Sequence, residues 1–315
     1  MFQGFSCKKI FLTGGTGFFG KSILDRISRG FLPGTEWVIL SRNPGKFLAE
    51  YPVFASLENV HFLEGDVRDF AFPAGHFDAI FHGAAPAVTG LMPGVMRSII
   101  MEGTEHTLKF ARHCGAEKFL FVSSGAVYGI QPPELCRIPE DFPCSPVTEY
   151  GIAKLDAEEM CKASGIFTLL PRCFAFTGVY LPLDIHFAAG NFIRDALKGG
   201  VITVQGDGTP FRSYLDADDL VDWLFRILDC GQDSRPYNVG SPDAVSIAQL
   251  AERVASCFAT PPEVRILGIP EPGRLPSRYV PSTERAALEL GLRVKVDLTS
   301  SLKKTLALLG ARNLH

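Results

Sequence analysis

The sequence predicts an α/β protein with a doubly wound parallel sheet, followed by a smaller C-terminal lobe. Short apolar runs recur along the first half of the chain, and segments with helical spacing of apolar residues separate them. Nearly continuous apolar strands that alternate with helices are typical of a parallel sheet covered on both faces. Such sheets bind ligands at the carboxyl ends of their strands, so the residues after each strand form the candidate site.

Six strands are predicted in chain order: Ile10–Leu12, Trp37–Leu40, Val60–Leu63, Asp78–His82, Lys118–Ser124 and Phe167–Arg172. Helices are predicted from Gly17, over Met96–Cys114 and from about Tyr150. After residue 176 the chain becomes rich in loops, and residues 261–281 include six prolines. We therefore expect one domain of residues 1–176 plus about 213–240, and a smaller lobe of residues 177–212 plus 241–315 over the ligand cleft.

Composition excludes several classes of protein. The net charge of −3 and the absence of a basic run argue against a nucleic-acid-binding surface. No apolar stretch reaches the length of a membrane span, and the first strand begins too early to leave room for a signal peptide. The eight cysteines show no CxxC pair and the seven histidines no ligand spacing. We expect free thiols in a reducing cytoplasm, and no structural metal.

A glycine-rich turn follows the first predicted strand, with glycines at positions 14, 17 and 20. Free N–H groups and the dipole at a helix N-terminus attract anions, and only glycine lets a pyrophosphate come so close. The spacing is GxxGxxG rather than GxGxxG, so the strand before it and the helix after it support the interpretation more than the triplet does. We predict a dinucleotide contact at Gly14, Thr16, Gly17, Phe18, Phe19 and Gly20.

The end of the second strand selects the dinucleotide. An NAD site needs a carboxylate about twenty residues after the glycines to accept hydrogen bonds from the ribose diol. Here the strand ends in Ser41 and Arg42, which can bond and pair with a 2′-phosphate. We therefore predict NADP(H), with NAD(H) as the alternative in which Arg42 is merely solvated. Asp66 and Val67, after the third strand, are placed for the adenine.

Hydroxyl groups and an ammonium follow the fifth strand and the helix after it. Ser123 and Ser124 stand where the nicotinamide end of a dinucleotide is expected. Tyr150 and Lys154 are four positions apart on one helix face. A cation about 5 Å from a phenol favours the phenolate by roughly 3 kcal/mol at an effective dielectric of about 20. We therefore expect a lowered pKa for Tyr150 and a role as general acid/base.

Together, seven segments resemble the extended short-chain dehydrogenase/reductases, and within them the NAD(P)-dependent nucleotide-sugar epimerase/dehydratase family. They are Thr13–Gly20, Gly65–Val67, His82–Ala85, Ser123–Gly129, Tyr150 with Lys154, Pro171-Arg172 and Gly206–Tyr214. The resemblance covers almost the whole chain. It implies a Rossmann dinucleotide-binding domain, a nucleotide-sugar-binding lobe, and a homodimer formed through the Met96–Cys114 helix and the helix from Tyr150.

The resemblance also assigns roles to single residues. Tyr150 is the proton donor and acceptor, Lys154 binds the nicotinamide ribose and lowers the tyrosine pKa, and Ser124 hydrogen-bonds the reacting sugar oxygen. The remaining cofactor contacts include Ala84, Ala85 and Ser123. In the lobe, the residues that match contacts to the substrate pyrophosphate are Asn191 and Arg212, with Arg274 as a second arginine and Arg278 as its rival.

Departures from the family pattern narrow the reaction. The 4,6-dehydratases of the family carry an acidic pair directly after the catalytic Ser/Thr, where this chain has Gly125 and Ala126. We therefore disfavour 4,6-dehydration. No cysteine stands where 3,5-epimerising members place one, and Ala175 replaces an asparagine that often contacts a substrate phosphate. His186 lies near the expected sugar site, as a substrate contact or as a structural residue.

We therefore predict an enzyme that transfers hydride at a sugar carbon, C4 by the resemblance, of a UDP-, dTDP-, GDP- or CDP-linked sugar. Arg42 favours a 4-ketoreductase, since net reduction usually draws on NADPH, whereas the resemblance favours an epimerase. An NADPH-dependent ketoreductase of a non-nucleotide small molecule is the alternative, although Asn191 and Arg212 suit a pyrophosphate better. A dinucleotide sensor without catalysis is disfavoured by the complete Ser–Tyr–Lys set.

Overall fold

The computed structural model describes residues 5–86, 92, 94–184 and 187–312. Its strands are β1 (Lys9–Thr13), β2 (Glu36–Ser41), β3 (Val60–Glu64), β4 (Ala79–His82), β5 (Lys118–Phe121), β6 (Ser123–Ser124), β7 (Phe167–Cys173), β8 (Phe176–Thr177), β9 (Ile202–Val204), β10 (Phe211–Arg212), β11 (Leu215–Asp216), β12 (Pro236–Val239), β13 (Val245–Ser246), β14 (Val264–Ile266) and β15 (Arg278–Tyr279). Its helices are α1 (Phe18–Ser28), α2 (Pro44–Glu50), α3 (Val95–His113), α4 (Glu149–Lys162), α5 (Ala188–Leu197), α6 (Ala217–Cys230), α7 (Ile247–Ala255), α8 (Glu284–Leu290) and α9 (Leu298–Arg312). Within these residues, no helix combines the length and the apolar character that a membrane crossing requires.

The central sheet has the strand order β12-β7-β5-β4-β1-β2-β3, and β6 extends it by pairing with β7. The strands from β7 across to β3 run parallel, with Leu12 of β1 opposite Ile39 of β2 and Phe81 of β4. The order reverses at β1, because β2 and β3 follow on one side and β4, β5 and β7 on the other. The predicted parallel α/β sheet is confirmed, and its switch point lies at the end of β1.

One face of the sheet packs against α3 and α4 through buried aromatic and aliphatic side chains. The ring centroid of Phe11 lies 4.7 Å from that of Phe110 and 5.2 Å from that of Phe70. Full burial of one such side chain contributes about 1.5–3 kcal/mol. This cluster holds β1 in the centre of the sheet, so it also fixes the start of the glycine-rich turn.

The chain divides into two compact units. The first contains Met1–Gly129, Cys144–Cys173 and Val221–Tyr237, and the second contains Ile130–Pro143, Phe174–Leu220 and Asn238–His315. The sequence placed residues 130–143 in the first domain, but backbone pairing ties them to the second unit. The Ile138 N–H donates to the Val280 carbonyl oxygen at 2.9 Å, and the Val280 N–H donates to the Gln131 side-chain oxygen at 2.8 Å.

The second unit is built on short strands, which the sequence pattern described only as loops. β10 pairs with β13 and β15, β8 pairs with β11, and β9 pairs with β14. Strands of two or three residues are too short to show an alternation of apolar and polar side chains. In the first unit, the sequence also missed α2, although Asn43 caps it by accepting from the Lys46 N–H at 2.9 Å, and Pro44 opens it.

All eight cysteines lie in the described residues and carry free thiols. Cys136, in the second unit, and Cys230, in the first, are exposed. The buried ones are Cys7, Cys114, Cys161 and Cys173. Burial raises the pKa of each of these four thiols, which lowers the fraction of reactive thiolate.

Candidate active site

The glycine-rich turn packs directly on the neighbouring strands. Gly14 has a φ of +77°, and a Cβ there would lie 2.5 Å from the Gly83 carbonyl oxygen after β4. A Cβ on Gly15 would lie 2.1 Å from Ile39 Cγ2 of β2, and one on Gly20 would lie 2.2 Å from Gly15 Cα. Side chains at these three positions are therefore excluded by backbone and strand atoms.

Gly17 is placed differently, as the N-cap of α1. A Cβ on Gly17 would meet only the Gly14 carbonyl oxygen within 4 Å, at 3.4 Å, so it would occupy the space before the helix. The first N–H groups of an α-helix have no partner within the helix, and the helix dipole adds a partial positive charge. The turn from Gly14 to Gly20, with Thr16, Phe18 and Phe19, thus has the space and donors to hold a pyrophosphate.

A buried hydrogen-bond chain fixes the end of β4 next to this turn. Thr13 Oγ1 lies 2.8 Å from His82 Nδ1 and accepts from the Ala84 N–H at 3.1 Å. His82 Nε2 lies 3.1 Å from Thr104 Oγ1, and burial lowers the pKa of His82 to about 3. The imidazole is therefore neutral at physiological pH. It orders the segment that carries Ala84 and Ala85 at the switch point.

A pocket of about 490 Å³ lies at the carboxyl end of β2. Ser41 and Arg42 line it, as do two further cations, Lys21 and Lys46, and one carboxylate, Glu50. Sequence reasoning missed both lysines. The available signals were that Lys21 directly follows the last glycine of the turn and that Lys46 follows Arg42 by four residues. The excess of positive charge favours an anionic group in this pocket.

Asp66 lies in the turn after β3, and Arg68 of the same turn binds its carboxylate. Arg68 Nε and Nη2 donate to the two carboxylate oxygens at 2.8 and 3.2 Å, and these bonds hold the pKa of Asp66 below its usual range. Val67 is buried, and a Cβ on Gly103 of α3 would lie 2.8 Å from Val67 Cγ1. Both residues have these partners within the first unit, and their contact with an adenine stays a prediction.

The structure brings together the three predicted catalytic residues in the first unit. Ser124 ends β6, while Tyr150 and Lys154 lie in the first turns of α4, which Thr148 caps. The Ser124 hydroxyl lies close enough to the Tyr150 phenol to lower its pKa, against the larger effect of burial. Lys154 Nζ donates to the Val122 carbonyl oxygen at 2.8 Å and lies 5.9 Å from the centroid of the Tyr150 ring.

The pKa of Tyr150 differs from the expected direction. Burial raises the pKa of the phenol to about 12, and the hydrogen bond from Ser124 opposes this only in part. The prediction that Lys154 lowers the pKa of Tyr150 is therefore wrong for this structure, because burial dominates and the ammonium bonds a backbone carbonyl. Burial also lowers the pKa of Lys154 to about 8. At neutral pH the site contains a neutral phenol and a largely protonated lysine.

Ser123, which the sequence predicts as a cofactor contact, has a hydrogen-bond partner inside the protein. Its side chain is 1% exposed, and its hydroxyl donates to Glu158 Oε1 at 2.5 Å. Glu158, on α4, also forms a buried ion pair with Arg172 of β7 at 2.7 Å. The Ser123 hydroxyl thus has a partner inside the protein, and a cofactor contact at this position stays a prediction.

The turn after Ser124 carries no carboxylate. Gly125 and Ala126 open a 3-10 turn, and the Ala126 N–H donates to Ser124 Oγ at 3.2 Å. A Cβ on Gly151 of α4 would lie 2.6 Å from the Ala126 carbonyl oxygen, so the helix and the turn are in close contact. The hydroxyl of Ser124 and the phenol of Tyr150 are therefore held by short, rigid segments.

The arginines predicted to bind phosphate lie in the second unit. Arg212, on β10, is half-buried, and its Nη1 donates to the Phe211 carbonyl oxygen at 2.8 Å. Arg278, on β15, pairs opposite Phe211, and its guanidinium lies 4.5 Å from the Phe211 ring centroid. Because side chains alternate along a strand, Arg212 and Arg278 lie on opposite faces of this small sheet.

The other two predicted substrate residues also lie in the second unit. Asn191 is on α5, and its Oδ1 accepts from Arg194 Nη1 at 3.2 Å. Arg274 is in an exposed loop and pairs with Glu271 at 3.2 Å. Of these two arginines, Arg278 lies on a strand that pairs with β10, whereas Arg274 does not. His186 lies outside the described residues.

Across the part of the chain that the structure describes, no group of three or more histidine, cysteine, aspartate or glutamate side chains is placed to hold a metal ion. The chemistry that the described site can perform is proton transfer by a phenol, beside a turn built for a pyrophosphate. A parallel sheet with a glycine turn at its switch point and a Ser–Tyr–Lys set defines the dinucleotide-dependent, short-chain class of α/β enzymes.

Comparison with known proteins identifies the family within this class. The model of the NAD dependent epimerase/dehydratase family matches residues 10–240. The chain belongs to this family. It is 29% identical over 314 residues to UDP-glucuronic acid decarboxylase 1 of Danio rerio, a match that covers 95% of this chain and 72% of the relative.

Solved structures show the same fold. The UDP-glucose 4-epimerase of Thermotoga maritima, solved with UDP-glucose, superposes with a TM-score of 0.80 at 22% identity, over 98% of this chain and 100% of the other. The dTDP-glucose 4,6-dehydratase of Bacillus anthracis, solved with NAD, superposes with a TM-score of 0.82 at 18% identity, over 97% of each chain.

Proposed function

We propose that this protein transfers hydride at C4 of a nucleotide-linked sugar, as an epimerase or a 4-ketoreductase. The observation that carries the proposal is that Ser124 at the end of β6 and Tyr150 and Lys154 on α4 are brought together, with buried Lys154 bonded to the Val122 carbonyl oxygen two residues before Ser124. This is an acid/base group with an orienting hydroxyl, and its family uses nicotinamide dinucleotides. The substrate class follows from relatives named for UDP- and dTDP-sugars.

Tyr150 exchanges the proton of the reacting oxygen. With a pKa of about 12, its phenol is neutral at physiological pH, which is the state that donates a proton to a ketone. Ser124, beside the phenol, orients the same oxygen, and Lys154 supplies a positive charge on the same helix face. When bound, the nicotinamide ring takes or gives the hydride.

An epimerase removes hydride and returns it to the opposite face of the sugar, whereas a ketoreductase only delivers it. Two features support the reducing direction. Tyr150 is held as a proton donor, and the pocket at the end of β2 carries the cations Arg42, Lys21 and Lys46, which suit the 2′-phosphate of NADPH. We therefore keep both reactions, epimerisation and reduction of a 4-keto sugar, in the proposal. The product analysis described below distinguishes them.

The chain lacks the groups for 4,6-dehydration at the expected positions. That reaction needs an acid to protonate the leaving hydroxyl and a base to remove a proton, and Gly125 and Ala126 can do neither. The similarity to a solved dTDP-glucose 4,6-dehydratase is a similarity of fold, at 18% identity. Dehydration is therefore not part of the proposal.

Decarboxylation of UDP-glucuronic acid is a second candidate, favoured by the 29% identity to a UDP-glucuronic acid decarboxylase over 95% of this chain. Oxidation at C4 of a uronic acid places a ketone β to the carboxylate, and such an acid releases CO₂. The first step would need Tyr150 to accept the proton of the C4 hydroxyl, the reverse of the donation described above, with Ser124 orienting the same oxygen. An epimerase and a decarboxylase would share this oxidation and diverge after it.

The cofactor in this proposal is a nicotinamide dinucleotide, with NADP(H) preferred over NAD(H). The glycine turn has space for the pyrophosphate, and Ser41 and Arg42 offer a hydroxyl and a guanidinium where an NAD site needs a carboxylate. Several solved neighbours hold NAD, so NAD(H) is the alternative. A 2′-phosphate would gain charge-assisted bonds in the pocket at the end of β2.

The partner in this proposal is a UDP-, dTDP-, GDP- or CDP-linked sugar. Asn191 and Arg212 are the proposed contacts to its pyrophosphate, with Arg274 and Arg278 as rivals for a second arginine. A ketoreductase of a non-nucleotide small molecule is not favoured, because the relatives carry the names of nucleotide-sugar enzymes. We also retain the expectation of a homodimer built on α3 and α4.

The deciding experiment is a product analysis. The purified protein is incubated with NADP⁺, NADPH, NAD⁺ or NADH and with a panel of nucleotide sugars that includes UDP-glucose, UDP-glucuronic acid and dTDP-glucose, and the products are identified by NMR. A sugar inverted at C4, or a keto sugar reduced there, supports the proposal. Release of CO₂ from UDP-glucuronic acid selects the second candidate. Turnover that persists in Tyr150→Phe would contradict both.

A further inference from the structure

Three successive residues at the end of the fifth predicted strand meet three residues of one face of α4. The pairs are Val122 with Lys154, Ser123 with Glu158, and Ser124 with Tyr150. Positions 150, 154 and 158 are four apart, so their side chains share one face of the helix. Val122 and Ser123 thus each form one hydrogen bond with α4, and Ser124 follows them at the level of Tyr150.

The middle contact is the most deeply buried of the three. Glu158 is 0% exposed, and its Oε1 accepts from Ser123 Oγ at 2.5 Å and from Arg172 Nε at 3.0 Å. Arg172 Nη2 donates to Oε2 at 2.7 Å. Arg172 is itself opposite Ser123 in the β6–β7 pairing, and its guanidinium lies 4.8 Å from the Tyr128 ring centroid. A buried, bidentate pair of this kind tolerates little displacement of its members.

The geometry points to Glu158 as a positioning residue for the reaction: by accepting from Ser123 it fixes the register between β6 and α4, so that the Ser124 hydroxyl is held at the Tyr150 phenol. This inference rests on the proposed function. Glu158 touches neither substrate nor cofactor in this role, because Ser123 and Arg172 occupy its two oxygens. Its negative charge also opposes the effect of burial on Lys154, whose pKa it raises.

The test uses Ser123→Ala, which removes the contact and leaves the Glu158–Arg172 pair intact. Changing Glu158 itself would leave Arg172 as an uncompensated buried charge and lower folding stability on its own. The readout is the ¹³Cζ NMR signal of Tyr150 in the full-length protein labelled at tyrosine, assigned by its loss in Tyr150→Phe. We expect Ser124→Ala to shift this signal, Ser123→Ala to shift it in the same direction, and Ser123→Thr to restore it.

Ser301→Ala is a matched control. The Ser301 hydroxyl, in the second unit, donates to buried Asp216 at 2.5 Å and lies 2.7 Å from Thr177 Oγ1, so its loss removes buried bonds of the same kind. Both alanine variants should lower the melting temperature by similar amounts, but only Ser123→Ala should shift the Tyr150 signal. A Tyr150 signal that stays at its wild-type position in Ser123→Ala, while Ser124→Ala shifts it, would overturn the inference.

Kinetics give a second readout, with whichever nucleotide sugar of the panel is turned over. Misplacement of Ser124 should lower kcat by about tenfold to a hundredfold in Ser123→Ala, with KM unchanged. A raised KM with unchanged kcat would contradict a positioning role. If no sugar nucleotide is turned over, the proposed function fails, and the NMR comparison still decides whether Glu158 sets the register.

Discussion

Lys154 Nζ donates to the carbonyl oxygen of Val122 at 2.8 Å, two residues before the hydroxyl of Ser124. The ammonium is therefore anchored to the strand and not to the phenol of Tyr150, which lies one helical turn away on α4. This bond explains how a lysine that is 2% exposed keeps one of its three donors satisfied. Burial lowers the pKa of Lys154 to about 8, which makes its charge sensitive to pH near neutrality.

The contribution of Lys154 to stability should become more favourable as the pH rises from about 8 to 10. Burial lowers its pKa from 10.5 to about 8, so in this window the unfolded chain binds a proton that the native state has lost. The gain is about 2 kcal/mol across two pH units. Tyr150 opposes it only above pH 10, since its pKa is raised from 10.0 to about 12. Urea unfolding of the wild type and Lys154→Met at pH 7 to 10 measures this, and a difference that stays constant with pH would refute it.

Tyr150→Phe should lower turnover by about 10²–10⁴-fold and leave cofactor affinity unchanged, because it removes only the proton-transfer group. Discontinuous activity assays measure the turnover, and isothermal titration calorimetry measures the cofactor affinity. Tyr237→Phe is the control, since Tyr237 is a fully buried tyrosine whose oxygen accepts from the Gln232 N–H at 3.4 Å. Turnover near the wild-type rate in Tyr150→Phe would remove the tyrosine from the mechanism.

The pocket at the end of β2 should distinguish the two dinucleotides. We expect NADP(H) to bind about 5–30-fold more tightly than NAD(H), because Arg42 gives the 2′-phosphate a charge-assisted bond. Arg42→Ala should remove most of this difference, and Lys46→Ala part of it, as measured by calorimetry. Lys109→Ala, an exposed lysine of α3 paired with Glu105, changes the net charge equally and should leave the preference intact. A wild type that prefers NAD(H) would refute the assignment.

Arg212→Ala should raise KM for the nucleotide sugar far more than Kd for the dinucleotide, since Arg212 is proposed to contact only the substrate phosphates. Arg274→Ala and Arg278→Ala, measured in parallel, identify the second phosphate ligand. Arg274 pairs with Glu271 in an exposed loop, whereas Arg278 packs on Phe211. Equal weakening of substrate and cofactor binding by Arg212→Ala would indicate a structural arginine.

A homodimer through α3 and α4 would bury the outward face of α4. Ile152, directly between Tyr150 and Lys154 in sequence, is 42% exposed in the single chain. Sedimentation at micromolar concentration should give twice the chain mass for the wild type, and Ile152→Glu should shift the equilibrium towards the monomer. A monomeric wild type would exclude this association.

The central sheet could be predicted because its strands are buried on both faces and therefore read as continuous apolar runs. The positions of Ser124, Tyr150 and Lys154 on a strand end and a helix followed from the same pattern. The pKa of Tyr150 could not be predicted from its spacing to Lys154. Spacing shows that two side chains share a helix face, but it shows neither how deeply the phenol is buried nor that Val122 takes the ammonium.

Other parts of the site could not be predicted from the sequence for the same reason. Glu158 and Arg172 pair across two elements, and nothing in the local sequence of either residue predicts the partner. Lys21 and Lys46 meet Arg42 only because the glycine turn and α2 end at the same pocket. Arg212 and Arg278 lie on the two-residue strands β10 and β15. These strands form because they pair with each other, and not because of local sequence propensity.

The distribution of the thiols makes the two units separately addressable. Cys136 belongs to the second unit and Cys230 to the first, both are exposed, and burial suppresses the reactivity of the four thiols in the interior. Cys144 and Cys257, which are half-buried, would first be replaced by serine. A donor and an acceptor dye could then be attached as maleimides to Cys136 and Cys230. Energy transfer between the dyes, recorded as dinucleotide and sugar nucleotide are added, would then report the distance between the two thiols in each ligand state.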